Sequence, residues 1–228
     1  MKIKKLSHCC LVIETNGKKI LLDPGSYSVE EHRKLHNIDI ILFTHEHNDH
    51  FHIESLRELV KAMPHTKIIA NDAVGAMLVK EGIEHLVMEH GNKIDIGGIH
   101  IEAFGKKHAL LHSSIPPVSN VGFFLENKLF FPGDAFTIPE FLDAQKPANS
   151  KKFLGSHKIV DVLALPVCGP WMKISEAIDY ALAIKPRIAF PVHDAVRSGA
   201  AYRFPEMILP KNGIEFIKLE EGGEIEIE

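Results

Sequence analysis

The chain lacks a disulfide framework. Its three cysteines, Cys9, Cys10 and Cys168, are an odd number and two are adjacent, so bridges cannot staple the fold and a reducing cytoplasm is the expected setting. No uninterrupted apolar run is long enough to cross a bilayer, so no membrane role is expected. Met1-Lys2-Ile3-Lys4-Lys5 leads into a strand pattern instead of the apolar core of a signal peptide. Basic residues are not in excess. The 26 Lys and Arg stand against 30 Asp and Glu, for a formal net charge of −4, which disfavours nucleic acid as a partner because such proteins usually present a basic face. No Gly-x-Ser-x-Gly elbow is present to carry a serine nucleophile. No Ser/Gly tract, low-complexity run or short repeat marks a linker. What remains is an ordinary globular composition, 45% hydrophobic and 25% charged over 228 residues, which suits one domain spanning 1–228.

Strand-like and helix-like patterns alternate along that length. Strands are expected near 3–14, 18–23, 38–44, 67–70, 99–104, 120–126, 128–132, 159–166, 187–192, 214–219 and 223–227, with Glu126-Asn127-Lys128 as a tight hairpin turn. Helices are expected near 28–35, 53–63, 72–81, 174–184 and 203–209. The fourth of these carries Ile174, Ala177, Ile178, Ala181 and Leu182 on one face, with Ser175 as its expected N-cap. Pattern alone gives the class α/β. Two irregular ranges, 109–119 and 137–150, interrupt the alternation with Ser113-Ser114-Ile115-Pro116-Pro117 and with Pro139, Pro147 and Asn149.

Histidine is what the chain has in quantity, and its placement is uneven. Within Thr44-His45-Glu46-His47-Asn48-Asp49-His50, three imidazoles and the Asp49 carboxylate fall in the six residues 45–50. The apolar run Ile38-Asp39-Ile40-Ile41-Leu42-Phe43 precedes it and reads as a buried strand. Ile53, Leu56, Leu59, Val60 and Met63 follow at helical spacing. A loop held between strand and helix can aim several side chains at one point, and His nitrogens with Asp oxygens suit a divalent metal, above all zinc.

His-x-His-x-Asp-His resembles the signature of the metallo-β-lactamase superfamily. Its remaining ligands come from three later strand ends as a His, a Gly-Asp and a final His. The matching segments here are Gly105-Lys106-Lys107-His108, Pro132-Gly133-Asp134 and Pro191-Val192-His193, each after an apolar run and beside a strand-ending Gly or Pro. Lys18-Lys19-Ile20-Leu21-Leu22-Asp23-Pro24-Gly25 is similar to the family's second strand and its Asp-Pro turn. Leu163-Ala164-Leu165-Pro166 through Met172 is similar to the Leu-Pro strand of the lactonase-like branch, which contains ascorbate-6-phosphate lactonase.

The resemblance implies a four-layer αββα sandwich and two divalent cations, zinc first, with manganese or iron(II) as alternatives. It assigns His45, His47 and His108 to the first cation, Asp49, His50 and His193 to the second, and Asp134 to both. Asp49 and Asp134 are the expected catalytic carboxylates. A water whose pKa falls from about 15.7 towards about 7 on binding metal would serve as nucleophile. In isolation Asp134 reads as a turn residue and His193 as a surface histidine; their place in the series argues otherwise. His112-Ser113 competes with His108 for the third motif, and His108 is preferred because it lies nearer its strand. His8 is a residue expected to approach the ligands. His32, His36, His52, His65, His85, His90, His100 and His157 are expected at the surface, Cys168 buried, and Trp171 in packing. Glu46 is expected to face solvent or a neighbour of the ligands, and Lys173 to contact an anionic substrate or be solvated.

The departures narrow the chemistry. True β-lactamases of the family carry Cys where this chain has Asp134, and its redox members carry Glu where this chain has His47. The tRNA-processing members add a basic arm that is absent here. The resemblance therefore implies a metal-dependent hydrolase of an ester-like bond in a small, anionic substrate. The alternatives are a phosphodiesterase or nuclease-like hydrolase, a thioester hydrolase or sulfur dioxygenase, and a non-catalytic metal-binding accessory protein.

Overall fold

The computed structural model describes residues 1–145, 158–196 and 200–228. In chain order the elements are β1 (Lys2–Ser7), β2 (Cys10–Thr15), β3 (Lys18–Leu22), α1 (Val29–His32), β4 (Ile40–Phe43), α2 (Ile53–Ala62), β5 (Lys67–Ala70), α3 (Asp72–Lys80), β6 (Leu86–Val87) and β7 (Lys93–Ile96). The second half continues with β8 (Ile99–Phe104), β9 (Gly122–Leu125), β10 (Leu129–Phe131), β11 (Val162–Pro166), α4 (Ile174–Ile184), β12 (Ile188–Val192), α5 (Ala200–Ile208), β13 (Glu215–Phe216) and β14 (Glu224–Glu226). They form two seven-stranded mixed sheets, ordered β14-β1-β2-β3-β4-β5-β6 and β13-β12-β11-β10-β9-β8-β7. Each sheet is antiparallel on one side and parallel on the other. The change falls after β3 in the first sheet and after β10 in the second.

Alternation along the strands explains the layering. In β4, Ile40 and Leu42 enter the core between the sheets, where they join Ile13, Ile20, Ile101, Phe123, Phe131 and Phe190. Ile41 and Phe43, on the other face, pack with Leu56 and Leu59 of α2 and Val74 and Leu78 of α3. In β11, Val162 and Ala164 face inwards, while Leu163 and Leu165 meet Ala177, Ala181 and Ile184 of α4. Strands covered on both faces read as continuous apolar runs because neither face meets water. Three buried clusters between four layers give the αββα sandwich. Among the described residues no helix is long and apolar enough to cross a membrane.

Several elements differ from expectation. The segment 3–14 is a hairpin, broken at His8, whose φ of +52° turns β1 into β2. The short strands β6 and β7 carry mostly half-exposed or exposed residues and so lack the apolar run that marks the others. Expected helix 28–35 is only the single turn α1, after a 3-10 turn at Ser26–Ser28. The N-cap of α4 is Lys173, not Ser175; Glu176 reaches back to accept the Lys173 N–H at 2.6 Å. The Glu126-Asn127 turn takes positive φ at both residues, 54° and 51°, as a tight two-residue hairpin turn requires. Of the range 137–150, residues 146–150 lie outside the description, as does His157.

Candidate metal centre

One end of the sandwich collects the chemistry. The chain leaves β1, β3, β4, β8, β10, β11 and β12 at the same end of the two sheets, since the intervening partners are antiparallel and the rest run parallel. Strand ends at this position are where α/β folds bind ligands. Gly25, after β3, packs directly on the metal-type loop. A Cβ there would lie 1.8 Å from the Asp49 carbonyl oxygen, so only glycine lets the Ser26 N–H reach Asn48 O at 2.9 Å. Asn120 performs a similar service for the turn after β10, donating to Pro132 O at 2.9 Å and accepting the Asp134 N–H at 3.0 Å.

The structure brings His45, His47, Asp49, His50, His108, Asp134 and His193 into one cluster. His45, His47, His108 and Asp134 form one group, and Asp49, His50 and His193 another together with His8; within each, one ligand atom per residue lies within 4.8 Å of the others. His45 Nε2 and His47 Nδ1 are 3.1 Å apart, and His108 Nε2 lies 3.3 Å from Asp134 Oδ2. On the other side His193 Nε2 lies 2.9 Å from Asp134 Oδ2 and 3.5 Å from Asp49 Oδ2, and His50 Nε2 lies 3.1 Å from Asp134 Oδ1. Tetrahedral ligands about 2.0–2.1 Å from a zinc ion are roughly 3.3 Å from one another. These spacings match it.

Second, the buried donors have no other employment. His50 Nε2, His108 Nε2 and Asp134 Oδ1 are buried without a hydrogen-bond partner, a costly arrangement unless a ligand fills it. The opposite ring nitrogens are all engaged. His50 Nδ1 meets Asp23 Oδ2 at 2.7 Å, His108 Nδ1 meets Ala109 O at 2.6 Å, and His45 Nδ1 meets Thr44 Oγ1 at 3.0 Å. Thr44 Oγ1 gives its one proton to Asp23 Oδ2 at 2.6 Å, so it must accept from His45. Each of the three rings then carries its proton on Nδ1 and turns an Nε2 lone pair towards the cluster. That donor set fits a cation, with engaged far nitrogens of the kind metal-ligating histidines show.

A model of the β-lactamase superfamily domain matches residues 2–193. The chain belongs to the metallo-β-lactamase superfamily. UPF0173 protein PF0020 of Pyrococcus furiosus is 30% identical, over 88% of this chain and 86% of its own. UPF0173 metal-dependent hydrolase NEQ378 of Nanoarchaeum equitans is 26% identical over 100% of both chains. Igni18, a metallo hydrolase from Ignicoccus hospitalis, superposes with a TM-score of 0.74 over 100% of both chains at 18% identity, which speaks for the fold. The chain is thus a member of a family of metal-dependent hydrolases on the β-lactamase fold.

Several site features of this superfamily member escaped sequence reasoning. Asp23, fully buried with φ +40°, holds His50, the Thr44 hydroxyl and, at 2.8 Å, the Thr44 N–H; its Asp-Pro context signalled only a turn. Trp171 donates its indole N–H to Asp134 Oδ2 at 3.1 Å, where only packing was expected. His8, which the sequence did place near the ligands, sits 3.2 Å from Asp49 Oδ2. Its Nδ1 accepts the Ala195 N–H at 3.2 Å, so the neutral ring carries its proton on Nε2 and gives it to Asp49. Burial, against the Asp49 hydrogen bond, lowers the His8 pKa and keeps the ring neutral. His8 is therefore a donor to Asp49 and has no lone pair for a cation. Left-handed φ at His8, Asp23 and His193 (+56°) puts three strained non-glycine residues in one site, where such strain is commonly held.

Elsewhere His112 lies apart from the cluster, while His32, His52 and Cys168 differ from expectation. His112 is exposed and bonds Ser114 Oγ at 2.7 Å, outside the cluster that contains His108. His32 is fully buried against Ser28. His52 is the N-cap of α2, accepting the Ser55 N–H at 3.3 Å. Cys168 is half-buried, with Sγ 3.8 Å from Val196 O.

Charge binds the cluster together. Burial would raise the Asp134 pKa, but His50 and His193 outweigh it and hold the carboxyl well below the usual range. Burial likewise opposes charge on His50 and His193, and Asp134 overrides it, lifting both; a cation bound at their Nε2 atoms would displace that added proton and restore the lone pairs. At His45 burial and the neighbouring His50 outweigh the lift from Asp134 and push the pKa well down. Asp49, like His47, is half-buried; despite that burial, its hydrogen bonds with His193 and His8 keep it ionised.

Proposed function

We propose that the protein is a dinuclear metal-dependent hydrolase that cleaves an ester-like bond in a small molecule, in the manner of the lactonase-like branch. His45, His47 and His108 would hold one cation, Asp49, His50 and His193 the other, and Asp134 both. Zinc suits this nitrogen-rich set best. The observation that carries the reading is the set of buried, unpartnered atoms on His50, His108 and Asp134 turned into one space. Bound there, the cation pair would supply Lewis acidity and lower the pKa of a water to about 7.

The chain's own residues do the rest. Asp23, Thr44 and the Ala109 carbonyl hold protons on the far nitrogens of His50, His45 and His108, so the near nitrogens stay basic. His8 steers Asp49 by a hydrogen bond. Asp49 and His47, both partly exposed, open the site to substrate, which favours catalysis over a closed accessory role. The three free thiols suit a reducing cytoplasm, and residues 1–228 would act as one domain. Lys173, at the start of α4, is the cation we assign to an anionic substrate.

Metal analysis of protein purified without chelator, followed by lactone, phosphodiester and thioester panels, tests this. Two equivalents of zinc and lactone turnover abolished by chelation are expected. Turnover of phosphodiesters alone would replace the ester reading with the phosphodiesterase one.

A further inference from the structure

The loop between β11 and α4 sends one side chain into the cluster without offering a ligand. Trp171 is the chain's single tryptophan and is 7% exposed. Its indole N–H, a donor with no acceptor capacity, points at Asp134 Oδ2 from 3.1 Å. Its ring stands edge-on to His108 at 5.6 Å and to His193 at 5.7 Å, one residue from each proposed cation group. Phe136 backs it at 5.3 Å. Gly169 leaves room for this pose, because a Cβ there would lie 2.7 Å from the indole nitrogen. The loop is thus cut to let the indole reach the carboxylate.

A carboxylate's final torsion is broad and roughly two-fold, so Asp134 needs an external donor to fix the plane of its two oxygens. Oδ1 has no hydrogen bond, and the Asp134 backbone N–H is already given to Asn120. We propose that Trp171 is the positioning residue of the shared carboxylate. Its N–H fixes Asp134 Oδ2 while its ring walls His108 and His193, so that one side chain sets the geometry of both cation positions. This rests on the two-cation reading above.

Because Trp171 is the only tryptophan, expression in a tryptophan auxotroph fed β-(3-benzothienyl)alanine exchanges that one N–H for sulfur and leaves the ring shape in place. Zinc content of the native protein is measured first, then affinity for both protein forms by competition with a chromophoric chelator, with melting of the metal-free forms alongside. The expected result is a zinc affinity lower by about 10–100-fold, the usual cost of losing a partner behind a ligand, with metal-free melting unchanged. Trp171→Phe, which also lacks the donor, should show the same loss and serves if the analogue protein does not fold. Zinc affinity unchanged in the donor-less forms overturns the proposal alone, as does a loss matched by equal loss of metal-free stability, which marks a packing role. Native protein that binds no zinc overturns the two-cation reading and this proposal with it.

Discussion

Strand β8 serves two buried carboxylate clusters that differ in one respect. Glu102, within the strand, is 1% exposed and accepts from Lys158, from His100 Nε2 at 2.9 Å and from Lys93 Nζ at 2.9 Å. Asp134 lies in the cluster with His108, four residues beyond the strand, and it keeps one oxygen without a hydrogen bond while His50 and His108 keep an orphaned nitrogen each. Both carboxyls are held below their usual pKa against burial, the first to about 2 by cationic partners, the second by His50 and His193. A buried charge whose lone pairs are answered within the protein is structural. One whose neighbours leave lone pairs facing each other is arranged for something the protein does not itself contain. Removing a member of the first cluster should cost stability; removing a member of the second should cost metal.

The strongest break is Asp134→Asn. It keeps size but removes the charge that, on the proposed reading, offsets two cations, so metal affinity should fall by more than the roughly 10–100-fold typical of residues behind a ligand. Turnover of any substrate found should vanish while far-ultraviolet circular dichroism stays native. Full metal content with near-normal turnover would reduce Asp134 to a turn residue. Asp134→Cys should retain at least one metal.

His108→Ala against His112→Ala comes next. Metal analysis should show a clear loss at the first position in His108→Ala and near-native content in His112→Ala, since His112 is turned to Ser114 at the surface. The reverse pattern would move the third motif four residues along the chain.

Asp23→Asn tests the supporting layer. It weakens the acceptor for His50 Nδ1–H and for Thr44, so zinc affinity should drop by about 10–100-fold with both metals still able to bind. Competition titration reads it, and an unchanged affinity would show that the His50 ring needs no anchor.

Glu102→Gln gives the smallest effect and the opposite signature. Metal content should be unchanged. The Glu102 pKa is lowered from 4.5 to about 2, so its contribution is present above the unfolded value and is lost as pH falls from there towards about 2. The stability gap between wild type and variant, on the order of 2 kcal/mol at neutral pH, should close across that window in denaturant melts. A gap independent of pH would assign the loss to packing.

The helices and strands that were legible are those with a two-sided or one-sided apolar pattern. The β4 run and the α2 stripe of Ile53, Leu56 and Leu59 announce burial on both faces and on one face respectively. The hairpin at His8 was hidden, because Leu6 and Cys9 through Ile13 are apolar on both sides of it and only backbone conformation marks the turn. Strands β6 and β7, exposed at sheet edges, carry no such pattern. The N-cap of α4 was misplaced because Glu176 bonds the Lys173 backbone, a contact that any residue type at 173 other than proline could make.

By itself the sequence determined the donor chemistry of the candidate centre, because four of the seven cluster residues lie in one contiguous loop and no fold could scatter them far. It also determined the layering, through strands that are apolar on both faces. Only the tertiary structure decided how His108, Asp134 and His193 meet that loop, since each leaves its own strand of the second sheet. It alone revealed Asp23, Asn120 and Trp171 behind the candidate ligands, and it gave His8, already expected near them, its partner Asp49. The physical reason is range. Alternation and spacing are local and survive in one dimension, whereas a hydrogen bond between Trp171 and Asp134, 37 positions apart, leaves no periodic trace and exists only once the two strand ends stand side by side.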